Sequence, residues 1–234
     1  MTKKNQKVYY TINRIQDLNS VVIPHFLSYP LQSDKKKIDF DLWAEIVRII
    51  ISKKHLTKDG LLRILSLKTI LNRGLSKKLI SEFPDVINLS RPLLELSTNS
   101  LNNHWIAGFT AAEGSFSVTI NEKDGRKLPQ VRARFSIGLH ARDINILTRI
   151  SNQFNTGNIY SNNKGTVLFQ IANLTSIKTK LIPLFDEHNL NNIKHFDFLD
   201  FKQIICLMEN REHLRNYGLN TIREIKSNMN LRRM

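Results

Sequence analysis

The stretch from Asn103 to Asn121 constrains the fold of this 234-residue chain more than any other. Residues Asn103-His104-Trp105-Ile106-Ala107-Gly108-Phe109-Thr110-Ala111-Ala112-Glu113 read as a short helix, and Asn102 or Asn103 can accept from its first free amides. Gly114 follows at once and suits the left-handed position that closes a helix. Directly after it, Phe116, Val118 and Ile120 alternate with Ser117, Thr119 and Asn121, the period of a half-buried strand. Ala107, Gly108, Ala111 and Ala112 leave one side of the helix almost bare. A glycine inside a helix costs ~1 kcal/mol relative to alanine, so Gly108 points to a packing reason. Small residues let two helix backbones approach closely. Glu113 stands in the last turn, where the helix dipole gives a carboxylate no help. On a lone helix such a glutamate would simply be solvated.

Ile106-Ala107-Gly108-Phe109-Thr110-Ala111-Ala112-Glu113-Gly114 resembles the signature of the LAGLIDADG homing endonucleases and related intron maturases, in its GFTxxEG form. Ala111 stands where the signature has its first Asp. The resemblance implies that two such helices pack together through Ala107, Gly108 and Ala111. It also implies that the acid before the final glycine, here Glu113, binds a catalytic metal.

Lys and Arg total 35 against 20 Asp and Glu, a net charge of +15 with a pI near 10.0. The basic residues fall on predicted strands and helix ends rather than in one tail, which favours a nucleic acid over a membrane as partner. No apolar run is long enough to span a bilayer, and Met1 to Lys7 is too short and polar for a secretory signal. The single cysteine, Cys206, excludes an internal disulfide and a thiolate metal cluster; it sits in an apolar helical run and reads as core. Richness in Asn, Lys, Ile and Leu fits an AT-rich organellar gene, mitochondrial first and plastid second.

A long-period repeat runs through the chain. Ile23-Pro24-His25-Phe26 returns as Ile182-Pro183-Leu184-Phe185, a shift of 183 − 24 = 159. Phe40 matches Phe198, Trp43 matches Phe201, and Gly60-Leu61 matches Gly218-Leu219, a shift of 218 − 60 = 158. Such a duplication means two copies of a domain about a pseudo-twofold axis. In the first copy, Lys7 to Asn13 reads as a strand, and Ile15 to Phe26 as a helix with Leu18, Val21, Val22 and Phe26 as its candidate inward residues. Helices follow over Phe40 to Ile51 and Leu61 to Leu71. Residues 84–100, broken by Pro84 and Pro92, read as a linker. The second copy reads as a helix, a strand to Asn121, a turn at Asp124-Gly125, and a strand from Val131 to Leu139. A helix with Ile144, Leu147, Ile150 and Phe154 inward, a hairpin and further helices complete it. The expectation is an α+β chain with the LAGLIDADG endonuclease fold: residues 1–83 an incomplete first half of strand and helices, 84–100 a linker, 101–234 a complete second half. No second glycine-closed acidic helix occurs in residues 1–100, so the first half reads as cut short.

Phosphodiester cleavage needs a cation to neutralise developing charge and acidify a water. Mg²⁺ takes one or two carboxylates with waters and phosphate. The resemblance implies Mg²⁺ or another divalent cation on Glu113 and the Ala112 carbonyl. It places Lys194, at the start of a helix, near the scissile phosphate. Lys36 is its counterpart in the first copy, with Lys35 fitting almost as well. Double-strand cleavage would need a matching acid from coding sequence upstream of Met1 or from a second copy of the chain. Ser115, Ser117, Thr119 and Asn121, with Arg132, Arg134, Ser136 and His140 on the next strand, point away from the core. They form a polar, basic face suited to a β-ribbon in the major groove. An ordinary solvated sheet alternates in the same way, and His140 and His104 read more readily as satisfied polar residues than as metal ligands.

The reading is an intron-encoded homing endonuclease that cuts double-stranded DNA at a long site. Its rivals are a maturase that binds intron RNA on the same fold, a catalytically inactive remnant, and a plain basic DNA-binding module in which Glu113 is dispensable.

Overall fold

The computed structural model describes residues 9–93, 97–122, 129–162 and 164–230. The expected turn at Asp124-Gly125 lies outside the described residues. The chain divides into two compact units, Met1–Ser97 and Thr98–Met234.

Among its described residues the first unit has helices and no strand. α1 (Ile15–Asp17) runs through a π turn (Leu18–Val22) into α2 (Ile23–Ser28), and α3 (Asp34–Ile51), α4 (Lys58–Ile70) and α5 (Lys77–Glu82) follow. The Ile23 amide bonds back five residues to the Leu18 carbonyl, so the helix is locally unwound. That rotation changes one member of the expected inward set: Leu18 packs on the core as expected, but Val21 is 59% exposed and Ile23, at 3%, takes the inward place. The strand expected over Lys7 to Asn13 does not form in its described part, where Tyr9 to Asn13 is irregular. A strand needs a neighbour for its backbone groups, and the described residues of this unit offer none. Two small cores hold the unit, one around Ile23, Ala44 and Val47, the other around Leu42, Leu67 and Leu71. Residues after Pro84 also pack here: Arg91 donates to Asp39 at 2.7 Å and to the Ile70 carbonyl at 2.9 Å.

The second unit is built on a four-stranded antiparallel sheet of order β1-β2-β4-β3. Helix α6 (Asn103–Glu113) runs directly into β1 (Gly114–Asn121), which pairs with β2 (Gln130–His140). A short turn (Ala141–Asp143) leads to α7 (Ile144–Phe154), then β3 (Asn158–Ser161) and β4 (Thr166–Ile171). α8 (Leu174–Ser176), a π turn (Ile177–Leu181), α9 (Ile182–Glu187), α10 (Lys194–Glu209) and α11 (Asn216–Ser227) cover one sheet face. Phe116 is the hub of that core, its ring 5.3–5.8 Å from those of Phe135, Phe185, Phe198 and Phe201. The turn before α7 rotates that helix, leaving Ile144 42% exposed while Ile146 joins Leu147, Ile150 and Phe154 inside. Cys206 is exposed, contrary to the sequence reading, because Ile204 and Ile205 take the inward face of α10.

The two copies repeat fine structure as well as sequence. The π turn begins at Leu18 and at Ile177, 159 residues apart, and in each the closing amide bonds back five residues. Lys53 and Arg211 share the left-handed conformation, at φ 59° and 58°. A Cβ on Gly60 would lie 1.9 Å from the Lys54 carbonyl oxygen, and one on Gly218 would lie 2.2 Å from that of Glu212. Glycine is therefore required where each helix passes the preceding turn. Gly218→Ala should destabilise the chain by about 1–3 kcal/mol in urea unfolding. Gly108→Ala, whose Cβ would meet nothing within 4 Å, should leave stability unchanged or raise it by up to ~1 kcal/mol.

Candidate cation site and polar sheet face

The site begins at the junction of α6 and β1. The Asn102 side chain caps α6, accepting from the His104 amide at 2.8 Å. Ile106 and Thr110 are fully buried, so α6 is pinned along one side. Gly114 does not close the helix in a left-handed conformation, as expected from sequence; it is extended, at φ −75° and ψ 158°. Glycine is needed for space, since a Cβ would come within 2.5 Å of the Thr110 side chain and 2.8 Å of its carbonyl oxygen.

This loopless junction turns backbone carbonyls toward one point, and the Lys194 ammonium occupies it. Nζ donates to the carbonyl oxygens of Gly114 at 2.5 Å, Thr110 at 3.2 Å and Ala112 at 3.4 Å. Asn192 completes the arrangement: its Nδ2 donates to the Ala111 carbonyl at 2.8 Å, and its Oδ1 accepts from the Lys194 amide at 3.0 Å. A cation at the carbonyl end of a helix is favoured by the helix dipole. Burial pushes the Lys194 ammonium below its ordinary pKa, while the carboxylates of Glu113 and Asp197 oppose the shift by favouring the charged form. Glu113 itself is exposed, with its carboxylate open to solvent beside this cradle.

Glu113, Ala112 and Lys194 are thus brought together. Lys36 lies in the other unit, exposed in the first turn of α3, a helix that begins at Asp34 and not at Phe40 as the sequence suggested. Ala107, Gly108 and Ala111 line an open depression of about 350 Å³ with His104, Ala112, Asn189, Asn191 and Asn192, and Gly108 finds no packing partner within 4 Å there.

Beyond Gly114, β1 and β2 pair Ser115 with Ser136, Ser117 with Arg134, Thr119 with Arg132 and Asn121 with Gln130. All eight side chains therefore share the face opposite the Phe116 core. Arg132 is exposed and donates to the Gln130 side chain at 2.9 Å. His140 sits at the end of β2, where its Nδ1 accepts from the Arg142 amide at 3.2 Å and caps the turn. The same face continues into β4 and β3, where Ser136 pairs with Gln170 and Gln170 with Asn158. Thr166, Leu168, Gln170, Asn158 and Tyr160 were missed as members of this face. The alternation of Val167, Phe169 and Ile171 carried the signal, but the strand order that joins β4 to β2 did not show in sequence.

The LAGLIDADG endonuclease family model matches residues 1–47 and 106–205. The chain belongs to this family. It is 35% identical over 223 residues to a probable intron-encoded endonuclease of Neurospora crassa, an alignment covering 95% of this chain and 42% of that protein. The crystal structure of the I-LtrWI LAGLIDADG homing endonuclease bound to target DNA superposes with a TM-score of 0.87 at 36% identity, covering 95% of this chain and 74% of that one. I-SmaMI bound to cleaved DNA gives a TM-score of 0.86 at 31% identity, with 94% and 74% covered. The chain spans about half the length of the curated relatives it matches first, at 42% and 50%. Among the described residues no helix is long and apolar enough to cross a membrane.

The three carbonyls gripped by Lys194 give this LAGLIDADG chain a local stability test. Lys194→Ala should cost about 1–2 kcal/mol in urea unfolding, since charge-assisted hydrogen bonds are lost but water reaches part of the cradle.

Proposed function

We propose that this chain acts as an intron-encoded homing endonuclease of the mitochondrion. It would cleave double-stranded DNA at a long specific site by divalent-metal-dependent phosphodiester hydrolysis. The observation that carries the reading is the α6–β1 junction, where backbone carbonyls already hold a cation beside an exposed glutamate at the rim of a polar, basic sheet face. The fungal relative named as an intron-encoded endonuclease and the DNA-bound neighbours support it.

The donor set fits a hard cation. Among the described residues no group of three or more His, Cys, Asp or Glu side chains gathers, which disfavours an all-protein cage. Glu113 and the Ala112 carbonyl are oxygen ligands of the kind Mg²⁺ takes, with waters and phosphate completing the shell. When bound there, the cation would neutralise charge on the phosphate and lower the pKa of a water. Lys194 keeps a positive charge fixed beside Glu113, ready for the same phosphate. Lys36 is the proposed counterpart in the first unit. Ser115, Ser117, Thr119 and Asn121 contact the duplex with Arg132, Arg134, Ser136 and His140, the two arginines supplying forked donors for guanine edges or phosphates.

A plasmid carrying the uninterrupted target, incubated with Mg²⁺, tests the reading. The sequence holds one glycine-closed acid, so these 234 residues should convert supercoiled DNA mainly to the nicked form. Glu113→Gln should slow nicking about 10³-fold or more, several kcal/mol of barrier, with duplex affinity and fold intact. Wild-type activity in that variant would remove the catalytic assignment.

Binding gives a separate check. Affinity for the duplex should fall steeply with salt, and Arg132→Ala or Arg134→Ala should each reduce the slope of log K against log salt by about 1 if the arginine meets a phosphate. Unchanged binding in both variants would mean that the sheet face is not the DNA surface.

A further inference from the structure

We propose that Asp197 and Asn230 are positioning residues for Lys194, forming a clasp that fixes the free edge of β1 against the first turn of α10. The proposal rests on the nuclease reading only for its effect on rate; the geometry stands without it.

Asp197 lies three residues after Lys194 on α10 and is only 5% exposed. Its Oδ1 accepts from the backbone amide of Asn230 at 2.8 Å. Asn230 takes a left-handed conformation, φ 59°, and its side-chain amide donates to the Phe116 carbonyl at 3.0 Å. Met229 beside it is 3% exposed, so this segment is anchored in the core. Among the described residues β1 pairs with β2 on one side only, which leaves alternate carbonyls on its other edge to find partners. Two of them are taken by this machinery: Phe116 by Asn230 and, two residues earlier, Gly114 by Lys194. The result is a closed circuit from Lys194 through Gly114, Phe116, Asn230 and Asp197 back along one turn of α10 to Lys194. A shift of β1 along α10 would break both grips together.

A buried carboxylate is costly, and an apolar residue would fill the same core position at lower cost. The chain nevertheless carries this acid twice. Asp39 stands three residues after Lys36 as Asp197 stands three after Lys194, 197 − 39 = 158 apart. Asn72, 230 − 72 = 158 before Asn230, has φ 55° against 59°. In the first unit the acid pairs instead with Arg91, at 2.7 Å. The lysine, the acid and the left-handed asparagine therefore recur as a set, while the clasp to a strand carbonyl is made in the second unit.

The test compares the 234-residue wild type with Asn230→Ala, Asp197→Asn and Asp197→Ala. Lysine amines are acetylated with an N-hydroxysuccinimide ester, and each site is followed by mass spectrometry. In Asn230→Ala, Lys194 should label several-fold faster while Lys178 and Lys202, which pair with Glu209 and Asp186, keep their rates. Single-turnover nicking should slow about 10–100-fold, as expected for a misplaced group, with duplex affinity unchanged. Asp197→Asn keeps an acceptor for the Asn230 amide and should label and nick closer to wild type than Asp197→Ala. Wild-type labelling of Lys194 in Asn230→Ala overturns the clasp, as does a common acceleration at all three lysines, which marks general loosening. Absence of nicking in the wild type would count against the nuclease reading alone, because labelling decides the clasp without it.

Discussion

The grip of the Lys194 ammonium on three backbone carbonyls is the constraint on which the geometry of the α6–β1 junction depends. α6 passes into β1 without a loop, so the last helical carbonyls and the first strand carbonyl turn toward one place. Left alone they would concentrate partial negative charge at a helix end. A lysine from the start of α10 neutralises it and ties α6, β1 and α10 together. Phe116, two residues along β1, carries the same junction into the core through its contacts with Phe198 and Phe201 of α10. The chemistry proposed for the site uses what the junction already provides: oxygen donors, a cation, and an acid facing water.

The repeat shows which features a local sequence dictates by itself. The π turns, the left-handed residues after α3 and α10, and the glycines beneath the following turns recur in both units, because each is settled within a few residues. The strand is different. Thr166–Ile171 is a strand because β2 and β3 lie on either side of it, whereas Tyr9 to Asn13, with similar alternation, is irregular where no neighbour is described.

This difference explains what could be read from the residues. The α+β class, most of the helices, and the opposed faces of β1 and β2 follow from the sequence pattern and were legible in advance; α5 and the first turns of α3, before Phe40, were not. Glu113, Ala112 and Lys194 came from resemblance to a motif, and the structure supplies the carbonyl cradle that joins them. Rotation within helices was not legible: Val21, Ile144 and Cys206 each turned outward because a π turn, a short tight turn or a better-filled neighbour set the phase. Long-range hydrogen bonds were also hidden, since nothing in Asp197 or Asn230 alone announces a partner more than thirty residues away. The extension of the polar face into β3 and β4 waited on the strand order.

The central claim is that the acidic end of α6 is a cation site. Crystals of the chain with a target duplex, soaked in Mn²⁺ and measured at the manganese absorption edge, test it most directly. The account predicts an anomalous peak at roughly 2.0–2.3 Å from a Glu113 carboxylate oxygen, with the Ala112 carbonyl beside it, absent in Glu113→Gln. A peak elsewhere on the duplex-bound chain, with none at Glu113, would contradict it.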